Sequence, residues 1–423
     1  MSGERFFPWL MWLFPLLFFG FQFILRLFPG LVMSEFLQKY QISATDFGVF
    51  ASLYYIGYAC MQIPVAMLLD KYGPRKVIST CALLCGAATC LFVLLTSWPI
   101  ALLSRFLIGV GSVVGFLGVS KVISQWFPAK SYSKMIGLSF SFGLLGALYG
   151  GRPVSLMIEQ MGWEKVSLIL GAAAMVLGLF AFLFVRDKAQ RQERTPPLTY
   201  SLKKLLSQRS LIILAVANFL MVGSLEGFAD VWGVSYLMTA RDLTRVEAAS
   251  ITSFIFVGML FGGPLLAFLS EKFKAHFFVT MMCGVLMATL LLCLLYFNEW
   301  LPEYVVIAMM FCIGILCCYQ VIVFTIGADV VPAYLMSIGI AFLNCINMLG
   351  GSFFHTFIGR LMDYFEPNAV TDQVKSYSLE AYTYTLLLIP LASLLGAGLV
   401  WWSRHVYQQQ VKDEVGREMV VTV

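Results

Sequence analysis

Five ionisable side chains lie inside long apolar runs of this chain: Arg26, Arg105, Arg152, Glu226 and Asp230. An ionisable group in hydrocarbon costs at least ~2.5 kcal/mol, so each of them must be paired or used. Counted at ~1.5 Å per residue from the end of its run, Arg26 lies ~12 Å in. Arg152 and Asp230 lie at a similar depth, Arg105 slightly shallower and Glu226 one turn deeper, so all five fall in one layer. Glu226 and Asp230 are four residues apart and face the same side of a helix. Gly223, Gly227 and Gly233 flank them and allow that helix to bend. Two carboxylates one turn apart each oppose the other's ionisation unless a cation sits between them. Two chemistries follow. Either the acids and arginines neutralise one another and tie the molecule together, or the acid pair receives a cationic group while Arg26 or Arg152 holds a carboxylate. A guanidinium fork suits a carboxylate. A solute with both groups is an amino acid, above all arginine or lysine, or a short peptide. Three arginines against two acids leave the layer positive, which favours an organic anion instead.

The elements that carry this layer are membrane spans. The chain is 60% hydrophobic and 12% charged, about half the charged fraction of a soluble chain. That composition excludes a cytosolic enzyme, a nucleic-acid binder and a disordered chain. Runs long enough to cross ~30 Å of hydrocarbon fall near 9–33, 46–69, 77–96, 99–120, 135–158, 166–185, 211–238, 248–270, 276–297, 303–328, 333–359 and 381–403. The first run follows Pro8 with no small-residue cleavage site and is read as a retained span, not a signal. All ten cysteines lie inside these runs and are read as packing residues, with no zinc-type spacing among them. No cofactor or metal is expected, and no ATP-binding Gly-rich loop occurs.

One long polar stretch, 186–209, interrupts the runs with Arg186, Lys188, Arg191, Arg194, Pro196, Pro197, Lys203, Lys204 and Arg209. It divides the chain into an N-terminal six-helix bundle at 1–185 and a C-terminal one at 210–423. With both termini and this linker on one side, only Lys39, Lys165, Arg241, Arg245, Arg360 and Lys375 fall in loops on the other. Positive loops face the cytoplasm, so the net charge of +5 is a topology signal. The expected location is the inner (plasma) membrane with both termini cytoplasmic; a lysosomal membrane is the alternative.

The halves echo each other. Ala66, Asp70, Lys71 and Tyr72 after span 2 are matched by Ala267, Glu271, Lys272 and Phe273 after span 8. The segment 125–129 after span 4 is matched by 329–333 after span 10. Two echoes in register argue for duplicated halves.

The turn after span 2 has the pattern small-x-x-x-Asp-basic-x-Gly-x-basic, carried by Ala66, Asp70, Lys71, Gly73 and Arg75. Span 4 has the pattern Arg-x-x-x-Gly-x-Gly, carried by Arg105, Gly109 and Gly111. On these two signatures the chain resembles a major facilitator superfamily transporter, over essentially its whole length. Gly143, Gly146, Gly150 and Gly151 precede Arg152 and Pro153, the wrong order for that family's antiporter signature in span 5, which weighs against a drug/proton antiporter. Arg26, Pro29 and Gly30 resemble the Arg-x-x-Pro-Gly of organic-anion/proton symporters and of the lysosomal dipeptide-transporter branch, in which an arginine of span 1 is associated with substrate carboxylates.

The resemblance implies an all-α membrane protein: twelve transmembrane helices in two pseudo-symmetric six-helix bundles that rock around a central site. Spans 1, 4, 7 and 10 then line the cavity and span 5 contributes to it. Arg105 belongs to a signature and is assigned to packing or coupling, which leaves a basic amino acid or short peptide as the first substrate reading. A proton-coupled organic anion is the alternative. The expected binding residues are Arg26, Glu226, Asp230, Arg152, Tyr55, Tyr58, Gln62, Trp232, Tyr319, Asn344 and Asn347. Trp232 is placed to stack on a guanidinium or ammonium. Asp70, Arg75, Arg105, Glu226 and Asp230 are the expected gating and coupling residues, with Asp70 holding the halves closed at the cytoplasmic end. His355, near the outer end of span 11, is read as interfacial and not as a proton relay. The chain is thus read as a monomeric transporter and not an enzyme. Its partners are a small-molecule substrate, a co-transported proton and the lipid bilayer, with no nucleic acid.

Overall fold

Hydrocarbon offers no water to bond a backbone N–H or C=O, so a spanning chain satisfies them internally, as helix. The computed structural model describes residues 3–188, 198–332, 335–367 and 377–421, and among these every long element is helical. Residues 189–197 of the linker, with Arg191, Arg194, Pro196 and Pro197, lie outside the described residues, as do Ala333 of the second echo and Lys375.

The architecture is all-α with twelve spans, as expected. Span 1 is Gly3–Leu31, span 2 Ala44–Tyr72, span 3 Pro74–Leu94 and span 6 Trp163–Phe184. Span 8 is Arg245–Lys272, span 9 His276–Phe297 and span 11 Met336–Phe365. The remaining five are broken. Span 4 runs Trp98–Ser112 and Val114–Trp126, span 5 Tyr132–Gly150 and Arg152–Met161, span 10 Glu303–Cys317 and Tyr319–Val330, and span 12 Leu379–Leu386 and Leu388–Val421. Span 7 runs Arg209–Met221, then a π-helical stretch Gly223–Trp232, then Gly233–Arg241. Eleven spans, four of the broken ones included, are long and apolar enough to cross a membrane; span 5, interrupted at Gly151, is the twelfth. Leu198–Leu206, inside the stretch read as linker, forms a short helix that packs on spans 7 and 11.

The duplication goes deeper than the two turns. Span 2 begins on a capping box, Ser43 with Asp46, and span 8 on another, Thr244 with Glu247. Gly57 of span 2 sits on the Phe106 carbonyl of span 4, and Gly258 of span 8 on the Phe311 carbonyl of span 10. Conversely Gly109 of span 4 meets the Tyr54 carbonyl, and Gly314 of span 10 that of Ile255. Spans 4 and 10 also break at equivalent points, Val113 and Cys318.

The end opposite the linker, called the far end here, is where the first and last six spans close on each other. Asp363, near the end of span 11, accepts the backbone N–H groups of Ala44 and Thr45 at 3.1 and 2.8 Å. Arg245 of span 8 donates to Glu35, in the helix Met33–Tyr40 after span 1. Among the described residues, hydrogen bonds between the two sets of spans run from the Cys345–Gln62 contact to this end.

Candidate functional site

Arg26 is the centre. Its Nε donates to Asp230 Oδ2 at 2.5 Å, and its Nη2 to Glu226 Oε2. Tyr55 of span 2 donates its hydroxyl to the same Asp230 oxygen, and its ring lies 5.3 Å from the guanidinium carbon. Asn347 of span 11 donates to Glu226 Oε1 at 3.4 Å. Arg26, Glu226 and Asp230 are 8%, 1% and 2% exposed, so the pairing is desolvated and its partners cannot be replaced by bulk water. Spans 1, 2, 7 and 11 meet here, and the ion pairs join the first six spans to the last six.

Local sequence explains the geometry. Pro29 has no N–H, so the Leu25 carbonyl one turn earlier lacks its helical donor. Arg105 of span 4 supplies one, with Nη1 at 2.7 Å from Leu25 O and Nη2 at 3.0 Å from Arg26 O. Arg105 thereby holds the backbone that presents Arg26, while its own guanidinium lies 4.7 Å from the Tyr54 ring. Tyr54 in turn donates to Gln22 at 2.6 Å. Gly30 lets span 7 come close: a Cβ there would stand 2.8 Å from the Val231 Cα and 2.9 Å from the Asp230 carbonyl oxygen. On the other side of the contact, span 7 is π-helical across both acids, a winding that occurs mostly at functional sites.

The structure thus brings Arg26, Glu226, Asp230, Tyr55, Asn347 and Arg105 together. Gln62 is buried on the same helix as Tyr55 and accepts from Cys345 Sγ at 3.4 Å. Tyr58 and Asn344 are half-buried. Three placements differ from expectation. Arg152 is exposed, because the helix break at Gly151 starts a new helical segment at that residue and turns its side chain out of the layer. Trp232 is fully buried edge-on to Phe47, with ring centres 5.9 Å apart, and stacks on no cation among the described residues. Tyr319 spends its hydroxyl on the Asn218 carbonyl at 3.4 Å, a contact inside the last six spans.

The signature turn is tied down within the first six spans. Asp70 accepts from Lys121 of span 4 at 2.8 Å, so it does not bridge the two sets of spans here. Gly73 holds φ +80°, the left-handed region that favours glycine. A Cβ there would meet the Asp187 carboxylate, which receives the Arg75 backbone N–H at 2.9 Å. The Arg75 side chain donates to the Phe182 carbonyl at 2.7 Å.

Two residues gain a role that the sequence does not give them. Asp363 reads in sequence only as a loop acid. His355, read as interfacial, is fully buried with its ring centre 5.0 Å from that of Tyr55. The signal for the latter is spacing: Asn347, Gly351 and His355 recur every four residues on one face of span 11.

Comparison with known proteins agrees with this architecture. The model of the Major Facilitator Superfamily matches residues 10–355. A probable sulfoacetate transporter, SauU, of Cupriavidus necator is 28% identical over 153 residues, 36% of each chain. The hexuronate transporter of Bacillus subtilis is 25% identical over 249 residues, 55% of this chain and 58% of the relative. The matches therefore span about a third to three fifths of these relatives' lengths. In structure, a bacterial homologue of the human lysosomal transporter Spinster, inward-facing and unoccupied, superposes with a TM-score of 0.71 at 16% identity, covering 95% of this chain and 96% of that one. With the family model matched over most of its length and the fold shared, this chain belongs to the Major Facilitator Superfamily.

Proposed function

We propose that the protein is a proton-coupled symporter of a small organic anion. The observation that carries this reading is Arg26 shared by two carboxylates. With Arg105 the buried layer holds two cations and two anions and is balanced. An entering anion adds a charge that a dry layer cannot hold uncompensated. A proton on Glu226 or Asp230 restores the balance and frees one side of the Arg26 fork, which then grips a carboxylate or sulfonate bidentately. The names of the relatives, sulfoacetate and hexuronate transporters, support the same substrate class. Residues 1–185 and 210–423 are the two bodies that rock about this layer, joined through 186–209. The lysine and arginine distribution supports an orientation with the far end outside, and the bacterial relatives support the plasma membrane.

A second reading keeps a basic amino acid or short peptide as substrate. The observation that favours it is Asp230 Oδ1, buried without a hydrogen-bond partner among the described residues and so open to an ammonium. A zwitterion would place its ammonium there and its carboxylate on Arg26.

Uptake into proteoliposomes separates the two. Sulfoacetate, glucuronate and tartrate form one arm, and arginine, lysine and dialanine the other. Each is measured with and without an inward proton gradient. Acid uptake that rises with the gradient and collapses with a protonophore supports the symporter. Gradient-independent uptake of arginine or lysine, with no acid taken up, overturns it.

A further inference from the structure

Span 11 turns one polar face to the charge cluster, and only part of that face is explained by the pairing above. Asn347 bonds Glu226. One turn on, Gly351 lies against the Tyr55 ring and the Glu226 side chain. One turn further, the His355 ring lies tilted at 46° beside that of Tyr55, the residue that holds Asp230. His355 is 0% exposed, and neither Nδ1 nor Nε2 has a hydrogen-bond partner among the described residues. An imidazole buried without partners is destabilising where an apolar side chain would not be. The two ring nitrogens therefore make no hydrogen bond in this closed state among the described residues, and their use lies in a state where the far end is open.

Its position says which use. Beyond His355, span 11 continues to Gly359, packed on the Ala44 backbone, and to Asp363, bonded to the start of span 2. Parting the far end lifts this stretch of span 11 from span 2 and brings water to His355. The ring lies two turns, ~12 Å along the helix, farther out than Asn347. The charged and titratable groups around it are Tyr55 from span 2 and two cations, Arg26 from span 1 and Arg105 from span 4. The two carboxylates of span 7 lie behind these, Glu226 and Asp230 both on Arg26 and Asp230 also on the Tyr55 hydroxyl.

We propose that His355 is the proton-handling residue that loads the acid pair from the far side. With the far end open, a ring nitrogen takes a proton from hydronium in the entering water, leaving a water molecule and an imidazolium. As the end closes, that N–H gives its proton to a carboxylate oxygen of the pair, Asp230 Oδ1 being the one without a partner, and the ring returns to neutral. No other bond changes. The carboxylate, now neutral, releases its hold on Arg26 as the anion arrives. This inference rests on the proton-coupled reading above and deepens it.

The test uses the full-length protein, with His355→Gln and His355→Asn each checked for a monodisperse, cooperatively unfolding product. In proteoliposomes with sulfoacetate and glucuronate as probes, proton-gradient-driven uptake falls at least tenfold in both variants. Their counterflow without a gradient stays within about twofold of wild type. Gradient-driven uptake within twofold of wild type, with an unchanged pH profile, overturns the proposal. A second readout needs no substrate. The chain has three histidines, so ring-labelled histidine gives three NMR signals, and the one missing in His355→Gln is His355. With the far end loosened by Asp363→Asn, that signal titrates between pH 5 and 8; a signal that stays fixed overturns the proposal. Wild-type protein that moves no acid with the gradient defeats the symporter reading, whereas the titration decides His355 on its own.

Discussion

Asp363 at the end of span 11 accepts the Thr45 backbone N–H at the start of span 2, 2.8 Å away and 318 residues distant in sequence. A carboxylate on free N–H groups at a helix start is favoured by the helix dipole as well as by the bonds. Tyr377 completes the contact, donating to Asp363 at 2.6 Å and accepting the Ala44 N–H at 2.9 Å. Burial, and then the neighbouring carboxylate, raise the Tyr377 hydroxyl well above the usual phenol range, so it stays a donor at any physiological pH. One half of the molecule thus caps a helix of the other.

Asp363→Asn removes the charge and weakens this cap by about 1 kcal/mol. Spin labels on exposed Gln41 and Asp242, one at the far end of each half, should report a broader and longer distance distribution. An unchanged distribution would show that the far end is held by other contacts.

Arg26→Ala leaves two buried carboxylates without their cation and should destabilise the protein by about 3–5 kcal/mol, read as thermal unfolding in detergent. Adding Glu226→Gln and Asp230→Asn to it should recover most of that loss while uptake stays absent. Failure to recover would mean that Arg26 stabilises the fold by packing and not by charge. Arg26→Lys keeps the charge but loses the fork, so uptake should fall at least tenfold with a far smaller change in stability.

Gly30→Val tests the close approach of spans 1 and 7. Its side chain would collide with the Val231 and Asp230 backbone, at a cost of about 1–3 kcal/mol, and uptake should be lost because Arg26 and Asp230 are pushed apart. Gly137→Ala is the control: a Cβ there meets nothing within 4 Å, and helix propensity alone predicts a gain of up to about 1 kcal/mol.

Asp70→Asn breaks a pair whose acid is largely exposed, with a side chain 58% accessible. Stability should change by less than about 1 kcal/mol. Transport should slow while substrate protection against thermal unfolding persists. Loss of that protection would place Asp70 in binding instead of gating.

Much of this was written along the chain. Hydropathy located the spans, because a membrane helix must be apolar over a set length. Counting residues from the span ends placed Arg26, Glu226, Asp230 and Arg105 in one layer, because helical rise is constant. Pro29 and Gly30 marked the point on span 1 where its backbone is opened to Arg105 and approached by span 7. What sequence left undecided is direction around the helix axis, which depends on neighbours. Counting put Arg152 in the layer too, but the break at Gly151 turned it outward. His355 stood near a span end and still became wholly buried, since span 2 lies over it. That Glu226 and Asp230 take the same arginine, and that Asp363 finds Thr45, was decided only when helices far apart in sequence packed together. Depth is a property of one helix, whereas pairing is a property of two.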